Sequence, residues 1–272
     1  MRRAFELFWR TVVARSYPRL IGLQRERSWL FFEIFLPVLV TCSYVFVYKA
    51  IDAPRDFIGF VVLGGAMSAF WFNVLWAMSS QLYWEKQSGN LPLYIAAPNS
   101  LMAILLGMAL GGLAATALRS CVILMTGSVL FGVTYSVPHI APALVVFLLT
   151  MAALYGMGML FASVFLLFGR EAWHTSNLLQ EPVFLISGFY FPVKHLPVWV
   201  TTIASIVPLT LGLDAMRQLL FAEGASIGFL PVGTEVAALA VLAVLFVLAS
   251  KWGLDYVEML ARREGRLTER RR

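Results

Sequence analysis

Three ionisable residues stand inside long apolar stretches of the sequence: Glu33, Arg119 and Glu181. A charged side chain within a bilayer is costly, so such residues are usually paired or functional. Glu33 and Glu181 lie near the ends of their stretches, where each carboxylate either reaches water or a neighbouring polar group, or lines a path for a molecule that crosses the membrane. Arg119 lies deeper. Both an ion pair with Asp214 or a glutamate and direct contact with such a molecule fit its position.

Patterns for catalysis, metal binding or nucleotide binding are weak. The three histidines fall in predicted loops, without neighbouring ligands at metal-site spacing. Gly156 and Gly158 lie inside an apolar helix whose backbone amides are already hydrogen-bonded, so they cannot bind phosphate. Ser187 and Gly188 lack the flanking glycines and the paired base of a serine nucleophile. We therefore expect no catalytic residue, no metal and no cofactor in this chain.

The composition indicates a membrane protein. Hydrophobic residues make up 60% of the chain and charged residues 13%, about half the charged fraction of a soluble domain. The net charge of +6 comes from arginines concentrated at the two ends. That distribution is typical of cytoplasmic anchors rather than of a nucleic-acid surface. We expect one integral membrane domain over residues 1–272, of the all-α class, that does not bind nucleic acid.

Six apolar stretches are predicted to be transmembrane helices. Their predicted bounds are Trp29–Tyr48, Phe57–Leu82, Leu101–Phe131, Ile140–Phe168, Asn177–Phe191 and Gly233–Trp252. An even number of spans places both ends of the chain on one side of the membrane. Thirteen arginines lie in those ends, and basic residues favour the cytoplasm, so both termini are predicted to be cytoplasmic.

Residues 192–231, between spans five and six, predict a re-entrant helical hairpin on the outer side. The apolar segments Leu196–Val207 and Leu209–Phe221 each cover only about 18 Å, too little to cross a bilayer. Prolines interrupt this region: Pro192 precedes the first segment, Pro197 lies near its start, and Pro208 lies between the two segments. Irregular backbone at this depth must be covered by protein or line a cavity.

The first 27 residues predict an amphipathic helix that lies along the membrane surface. Phe5, Phe8, Trp9 and Val12 recur at helical spacing, and arginines occupy the opposite face. Pro18 is expected to end or kink this helix.

Tyr83–Ser100, YWEKQSGNLPLYIAAPNS, forms a polar stretch between the second and third spans. Glu85 and Lys86 supply its charges, and Leu93 and Tyr94 belong to its small apolar face. The stretch is too short for a domain and too regular for a simple turn. We interpret it as a contact site for a soluble partner, on the cytoplasmic side in the predicted topology.

Two parts of the sequence resemble the permease subunit of ABC-2 type exporters. The first comprises Ser187, Gly188, Phe191, Pro192, Leu196, Pro197, Pro208, Leu209, Thr210, Asp214 and Arg217. The second comprises Glu85, Gly89, Leu91, Pro98 and Ser100. Pro92 stands where that family commonly has an acidic residue. The layout of six spans, an amphipathic start and an outward hairpin is also similar.

This resemblance implies a half-transporter in a bacterial inner membrane. Two permease subunits, identical or related, would work with two copies of a cytoplasmic ATP-binding subunit. That subunit would bind ATP and Mg²⁺, because this sequence has no phosphate-binding loop motif. The expected partner contacts are Glu85, Lys86, Gly89, Leu93 and Tyr94. The expected cargo is amphiphilic or lipid-linked: a drug, a lipid or a lipo-oligosaccharide.

Other classes of protein stay open at this point. A membrane-embedded enzyme would use Glu33, Glu181 and the histidines as acid–base groups, and these would have to converge at one depth. A secondary transporter would carry inverted repeats with paired broken helices, whereas only the second half of this sequence has a broken segment. An ion-extruding ABC permease would favour more carboxylates at membrane depth.

Overall fold

The computed structural model describes residues 2–25, 27–97, 100–168, 178, 180–222 and 224–264. These residues are almost entirely helical and include no strand, which confirms the predicted all-α class. A helix satisfies its own backbone N–H and C=O groups, as a chain in lipid must. Pro98, Asn99 and His174 lie outside the described residues.

The helices of the described residues are α1 (Arg2–Arg25), α2 (Arg27–Ala50), α3 (Arg55–Phe72), α4 (Gln81–Gln87), α5 (Leu91–Ala96), α6 (Leu101–Phe131), α7 (Ile140–Phe168), α8 (180–186), α9 (Val198–Ala204), α10 (Pro208–Leu220), α11 (Gly224–Ile227) and α12 (Val232–Glu264). A π-helical segment, Asn73–Met78, continues α3 towards α4. Short 3₁₀ turns at Val137–His139 and Val193–His195 precede α7 and α9.

Five stretches among the described residues are long and apolar enough to cross a membrane. They are Phe31–Ala50, Arg55–Gln87, Leu101–Phe131, Ile140–Phe168 and Val232–Leu260. These correspond to predicted spans one to four and six. The predicted fifth span, Asn177–Phe191, begins outside the described residues, and its described part contains α8.

The last helix extends further than the sequence predicts. The predicted span ends at Trp252, whereas α12 continues to Glu264. Leu254 and Val257 are buried in this extension and Asp255 is exposed. Hydropathy detects contact with lipid, and it therefore misses the part of a helix that keeps only one apolar face.

The centre of the bundle is α3. Its side chains Phe60, Val61, Val62, Phe70 and Trp71 are almost completely buried, and it contacts α2, α6 and α10. On the outside of this core, α12 packs along α7 and α1 packs along α6. Both chain-terminal helices are thus attached to long spans.

α1 continues through Pro18, so of the two predicted effects of this proline, an end or a kink, the end is wrong. Packing on both sides of the proline explains the difference. A Cβ on Gly107 of α6 would lie 2.5 Å from the Val12 carbonyl oxygen, and one on Gly111 would lie 2.9 Å from Arg19 Cβ. α6 therefore packs closely against α1 on both sides of Pro18.

The predicted hairpin between spans five and six corresponds to a bent helix pair. The chain bends by 108° between α9 and α10. Pro208 is the first residue of α10, where a proline is compatible with a helix because its missing N–H would have no partner. Leu209, Leu211 and Leu213 of α10 are buried, so protein covers this segment.

Candidate functional site

The described part of residues 83–100, named here the coupling segment, contains a helix–turn–helix at one end of the bundle. α4 ends at Gln87, Gly89 makes the turn with a φ of 79°, and α5 follows. Leu91 and Tyr94 point into the protein and are buried. Leu93 points away from it and is 66% exposed.

The Glu85 carboxylate holds this turn together. It accepts hydrogen bonds from Gln81 Nε2 (3.1 Å), Asn90 Nδ2 (2.8 Å) and the Tyr94 hydroxyl (2.9 Å). Burial, together with the hydrogen bond to Glu85, raises the pKa of Tyr94 to about 12, so this hydroxyl stays protonated and able to donate. The Arg15 guanidinium lies 4.3 Å from the Tyr94 ring centroid, which ties the segment to α1.

The five predicted partner contacts therefore have different surroundings. Gly89 and Leu93 are exposed at the tip, and Lys86 is half-buried. Glu85 and Tyr94 are engaged in the hydrogen bond between α4 and α5. Contact with a partner stays a prediction for all five, and Leu93 offers the largest accessible apolar side chain among them.

We expect Glu85→Ala to loosen the coupling segment without unfolding the bundle. The substitution removes one charged acceptor and strands the Tyr94 hydroxyl, which is buried. A hydrogen bond to a charged group contributes about 1.5–3 kcal/mol, so amide exchange in residues 86–97 should rise at least tenfold. Exchange in α7 serves as the internal reference. Unchanged exchange in residues 86–97 would show that Glu85 does not hold the turn.

Between the spans α6 and α2, Arg119 forms an ion pair with Glu33. Glu33 is one of the partners that the sequence left open for Arg119. Asp214, the other named partner, instead accepts hydrogen bonds from Gln218 Nε2 (3.0 Å) and the Phe229 amide (2.8 Å). Glu181 is exposed and accepts a hydrogen bond from Gln180.

Two cavities adjoin this ion pair. The first, named here the basic cavity, has a volume of about 470 Å³ and is lined by polar residues that include Arg15, Arg19, Gln81 and Glu85. The second, named the aromatic cavity, has a volume of about 540 Å³. Its lining includes Phe32, Phe72, Trp76, Phe184 and Tyr190. Glu33, Asn73, Ala77 and Arg119 line both.

The polar residue Asn73 is one that sequence reasoning missed. It begins the π-helical segment and accepts a hydrogen bond from the Tyr155 hydroxyl (3.0 Å). Three residues later, Trp76 Nε1 donates to Gln180 Oε1 (2.7 Å). The sequence does contain a signal, an asparagine within an apolar stretch. Its place in a π-helical segment points to a functional role, because π-helical turns often occur at functional sites.

Arg217 lies in the hairpin, and its guanidinium is completely enclosed. Nη1 donates to the carbonyl oxygens of Gly188 (2.6 Å) and Phe191 (3.3 Å), and Nη2 donates to those of Phe189 (2.8 Å) and Phe60 (3.0 Å). Gly188 has a φ of 72°, which favours glycine. The guanidinium thus joins the turn at residues 187–191 to α3. Ser187 is buried beside it.

Gly64 of α3 lets the same turn approach closely, and we expect Gly64→Ala to displace it. A Cβ there would lie 1.5 Å from the Phe189 carbonyl oxygen, far inside van der Waals contact. Overpacking of this kind costs about 1–3 kcal/mol or more, so the melting temperature of the purified chain in detergent should fall. Gly233→Ala is the matched control, because no atom lies within 4 Å of its added Cβ. Equal melting temperatures for both variants would contradict this packing.

One protein family matches the part of the chain that contains the coupling segment, the ion pair and the bent helix pair. The profile of the ABC-2 type transporter family matches residues 6–221, from α1 through the coupling segment to the end of the bent helix pair. The chain belongs to the ABC-2 type transporter family. As an ABC-2 permease it is a membrane component of a transporter and not itself the catalytic part, and such permeases generally work with an ATP-binding subunit. A search of curated proteins found no match.

Proposed function

We propose that this permease moves an amphiphilic or lipid-linked molecule out of the cytoplasm or the inner leaflet, driven by ATP hydrolysis in a separate subunit. ATP would draw two ATP-binding subunits together, and the coupling segment would transmit this movement to the spans. Rigid-body rotation of two permease subunits would then open the path alternately to each side.

The exposure of Leu93 is the observation that carries this proposal. Leu93 lies in α5 just after the turn and is 66% exposed, so most of its apolar surface is not packed within its own chain, while Glu85 and Tyr94 are hydrogen-bonded across the turn. A rigid turn with an exposed apolar tip suits insertion into a groove on a partner. Trp84, also half-exposed on α4, adds aromatic surface of the kind enriched in protein interfaces.

The arrangement of the chain ends supports a cytoplasmic position for the coupling segment. α1 reaches this segment through Arg15 and Tyr94, and the long helix α12 contacts α5. The first and last described helices therefore both contact the coupling segment. Since the arginines are concentrated in these ends, the positive-inside rule assigns all three parts to the cytoplasm, in a bacterial inner membrane.

α1 would also contact the membrane surface. Val12 is buried against α6, Phe8 is half-buried, and Phe5, Trp9 and Val13 are exposed. An exposed aromatic and aliphatic face beside a helix rich in arginine fits the headgroup region of a bilayer. Through this contact α1 would support the coupling segment from the lipid side.

The aromatic cavity supports an amphiphilic cargo. Its walls provide stacking and apolar surface at the level of the ion pair, and its volume of about 540 Å³ is within the usual range of small-molecule sites. We propose a second permease subunit, identical or related, as the other half of the path, and two ATP-binding subunits that hold ATP and Mg²⁺.

A reconstituted complex tests this function. The permease is co-expressed with a P-loop ATPase encoded in a neighbouring reading frame, and ATP turnover of the purified complex is measured in lipid vesicles. We expect co-purification of the two proteins and a turnover that rises when an amphiphilic cargo is added. An ATPase that neither binds the permease nor changes its turnover would overturn the proposal.

A further inference from the structure

The Glu33–Arg119 ion pair separates two cavities of opposite character. On one side lies the basic cavity, and on the other the aromatic cavity, with both residues of the pair lining each. A molecule that occupies both cavities would need a polar end and an apolar end. The boundary between those ends would lie at Arg119.

The basic cavity favours an anionic group. Its lining contains three guanidinium groups, those of Arg15, Arg19 and Arg119, and two carboxylates, those of Glu33 and Glu85. Both carboxylates are already engaged: Glu33 pairs with Arg119, and Glu85 accepts hydrogen bonds from neutral side chains. An entering cation would therefore have to displace an existing contact of a carboxylate.

Two donors in this region have unused capacity. Arg19 donates to the neutral amide oxygen of Gln81, and burial lowers the pKa of its guanidinium, as expected for a charge that is poorly compensated. Arg119 Nε is buried and has no hydrogen-bond partner among the described residues. A phosphate or carboxylate group in the cavity would give Arg19 a charged acceptor, and it would reach the enclosed Arg119 Nε once the ion pair with Glu33 opens. Arginine suits such groups because its donors are fixed in a plane.

We propose that the cargo site takes an amphiphile with an anionic headgroup, bound by Arg19 and Arg119 in the basic cavity, with its apolar part in the aromatic cavity. This inference rests on the proposed function and assigns the headgroup charge and the orientation of the cargo. In this site Glu33 competes with the headgroup for Arg119. Binding of the headgroup therefore opens the ion pair.

Binding to the purified permease, without any ATPase, tests the assignment. The probe is dodecyl phosphate with a diazirine at its chain end, added to the permease in phosphatidylcholine nanodiscs, and labelled residues are located by mass spectrometry. We expect labels on the aromatic cavity at Phe72, Trp76 or Phe184. Unlabelled dodecyl phosphate should displace the probe at about a tenfold lower concentration than dodecylphosphocholine, which has the same chain.

Substitutions of a basic and of an acidic residue in the site should change phosphate binding in opposite directions. Arg19→Gln should abolish the preference for phosphate, whereas Glu33→Gln should strengthen phosphate binding several-fold by freeing Arg119. Because Arg119→Gln alone leaves a carboxylate without its cation, the double variant Glu33→Gln with Arg119→Gln is used to show the loss. Arg55→Gln is the matched control, since Arg55 is exposed and lines a different cavity.

The outcomes separate this inference from the proposed function. Equal displacement by the phosphate and phosphocholine amphiphiles, labels outside both cavities, or weaker phosphate binding in Glu33→Gln would each overturn the anionic headgroup. If phosphatidylglycerol in the disc displaces the probe, the headgroup chemistry is supported and a bilayer lipid is its source. ATP turnover of the complete transporter is measured separately, so loss of coupling with intact binding would contradict the proposed function alone.

Discussion

Replacing Arg217 with methionine is expected to prevent accumulation of a stable, folded permease. Methionine fills a similar volume but donates no hydrogen bond. The variant would leave carbonyl oxygens of Phe60, Gly188, Phe189 and Phe191 without the donor that they now share. An unsatisfied buried group costs about 1–3 kcal/mol, and no water is available in lipid to replace the donor. The total loss should be on the order of several kcal/mol.

The measurement is the melting temperature and the monodisperse yield of the full chain in detergent. Arg217→Lys should fall between wild type and Arg217→Met, because an ammonium group retains three donors but lacks the planar geometry that reaches several carbonyls. Arg55→Met, which removes an exposed arginine, should behave as wild type. A normal yield and melting temperature for Arg217→Met would show that the turn at residues 187–191 is held by other contacts.

The hydrogen bonds of Arg217 to the turn at residues 187–191 explain why the hairpin motif contains both a glycine and an arginine. Gly188 supplies the left-handed backbone of the turn, and Arg217, 29 residues later in the sequence, binds that turn. Through Phe60 it also binds α3, the helix that continues by way of Asn73–Met78 into α4. Hairpin and coupling segment thus act on one continuous length of chain, which suits rigid-body transmission between them.

The spans could be predicted from the sequence because their signal is local. The bounds of α6 and α7 agree with the predicted Leu101–Phe131 and Ile140–Phe168, since an apolar run of sufficient length must be helical in lipid. The continuation of α12 beyond Trp252 and of α1 through Pro18 could not be predicted in this way. Both depend on packing against another helix, α7 and α6 respectively.

The site was predictable in its residues but not in their pairing. Glu33 and Arg119 were recognisable as charges in apolar stretches, yet their sequence separation gives no information on which carboxylate meets the arginine. The choice between Glu33 and Asp214 follows from the packing of α2 against α6. In the coupling segment, likewise, composition groups Glu85 with Leu93, and only the turn geometry assigns Glu85 to the inside and Leu93 to the surface.

Leu93→Asp is expected to abolish ATP turnover that depends on the permease while leaving the permease folded. The side chain is 66% exposed, so a carboxylate there is hydrated in the free chain. In a partner's apolar groove the same carboxylate would lose its water without compensation, a cost of several kcal/mol. The assay is ATP turnover of the reconstituted complex, with binding of the ATPase followed in parallel by co-purification.

The matched control for this prediction is Ile51→Asp. Ile51 has the same exposure of 66% but lies in the loop between α2 and α3, at the opposite end of the bundle. It should retain full turnover. Glu85→Ala should lower turnover less than Leu93→Asp, because it loosens the turn but leaves the exposed Leu93 side chain in place. The double variant should have the same turnover as Leu93→Asp alone. If turnover survives in Leu93→Asp, or is lost equally in Ile51→Asp, then Leu93 is not the contact through which the ATPase acts on the permease.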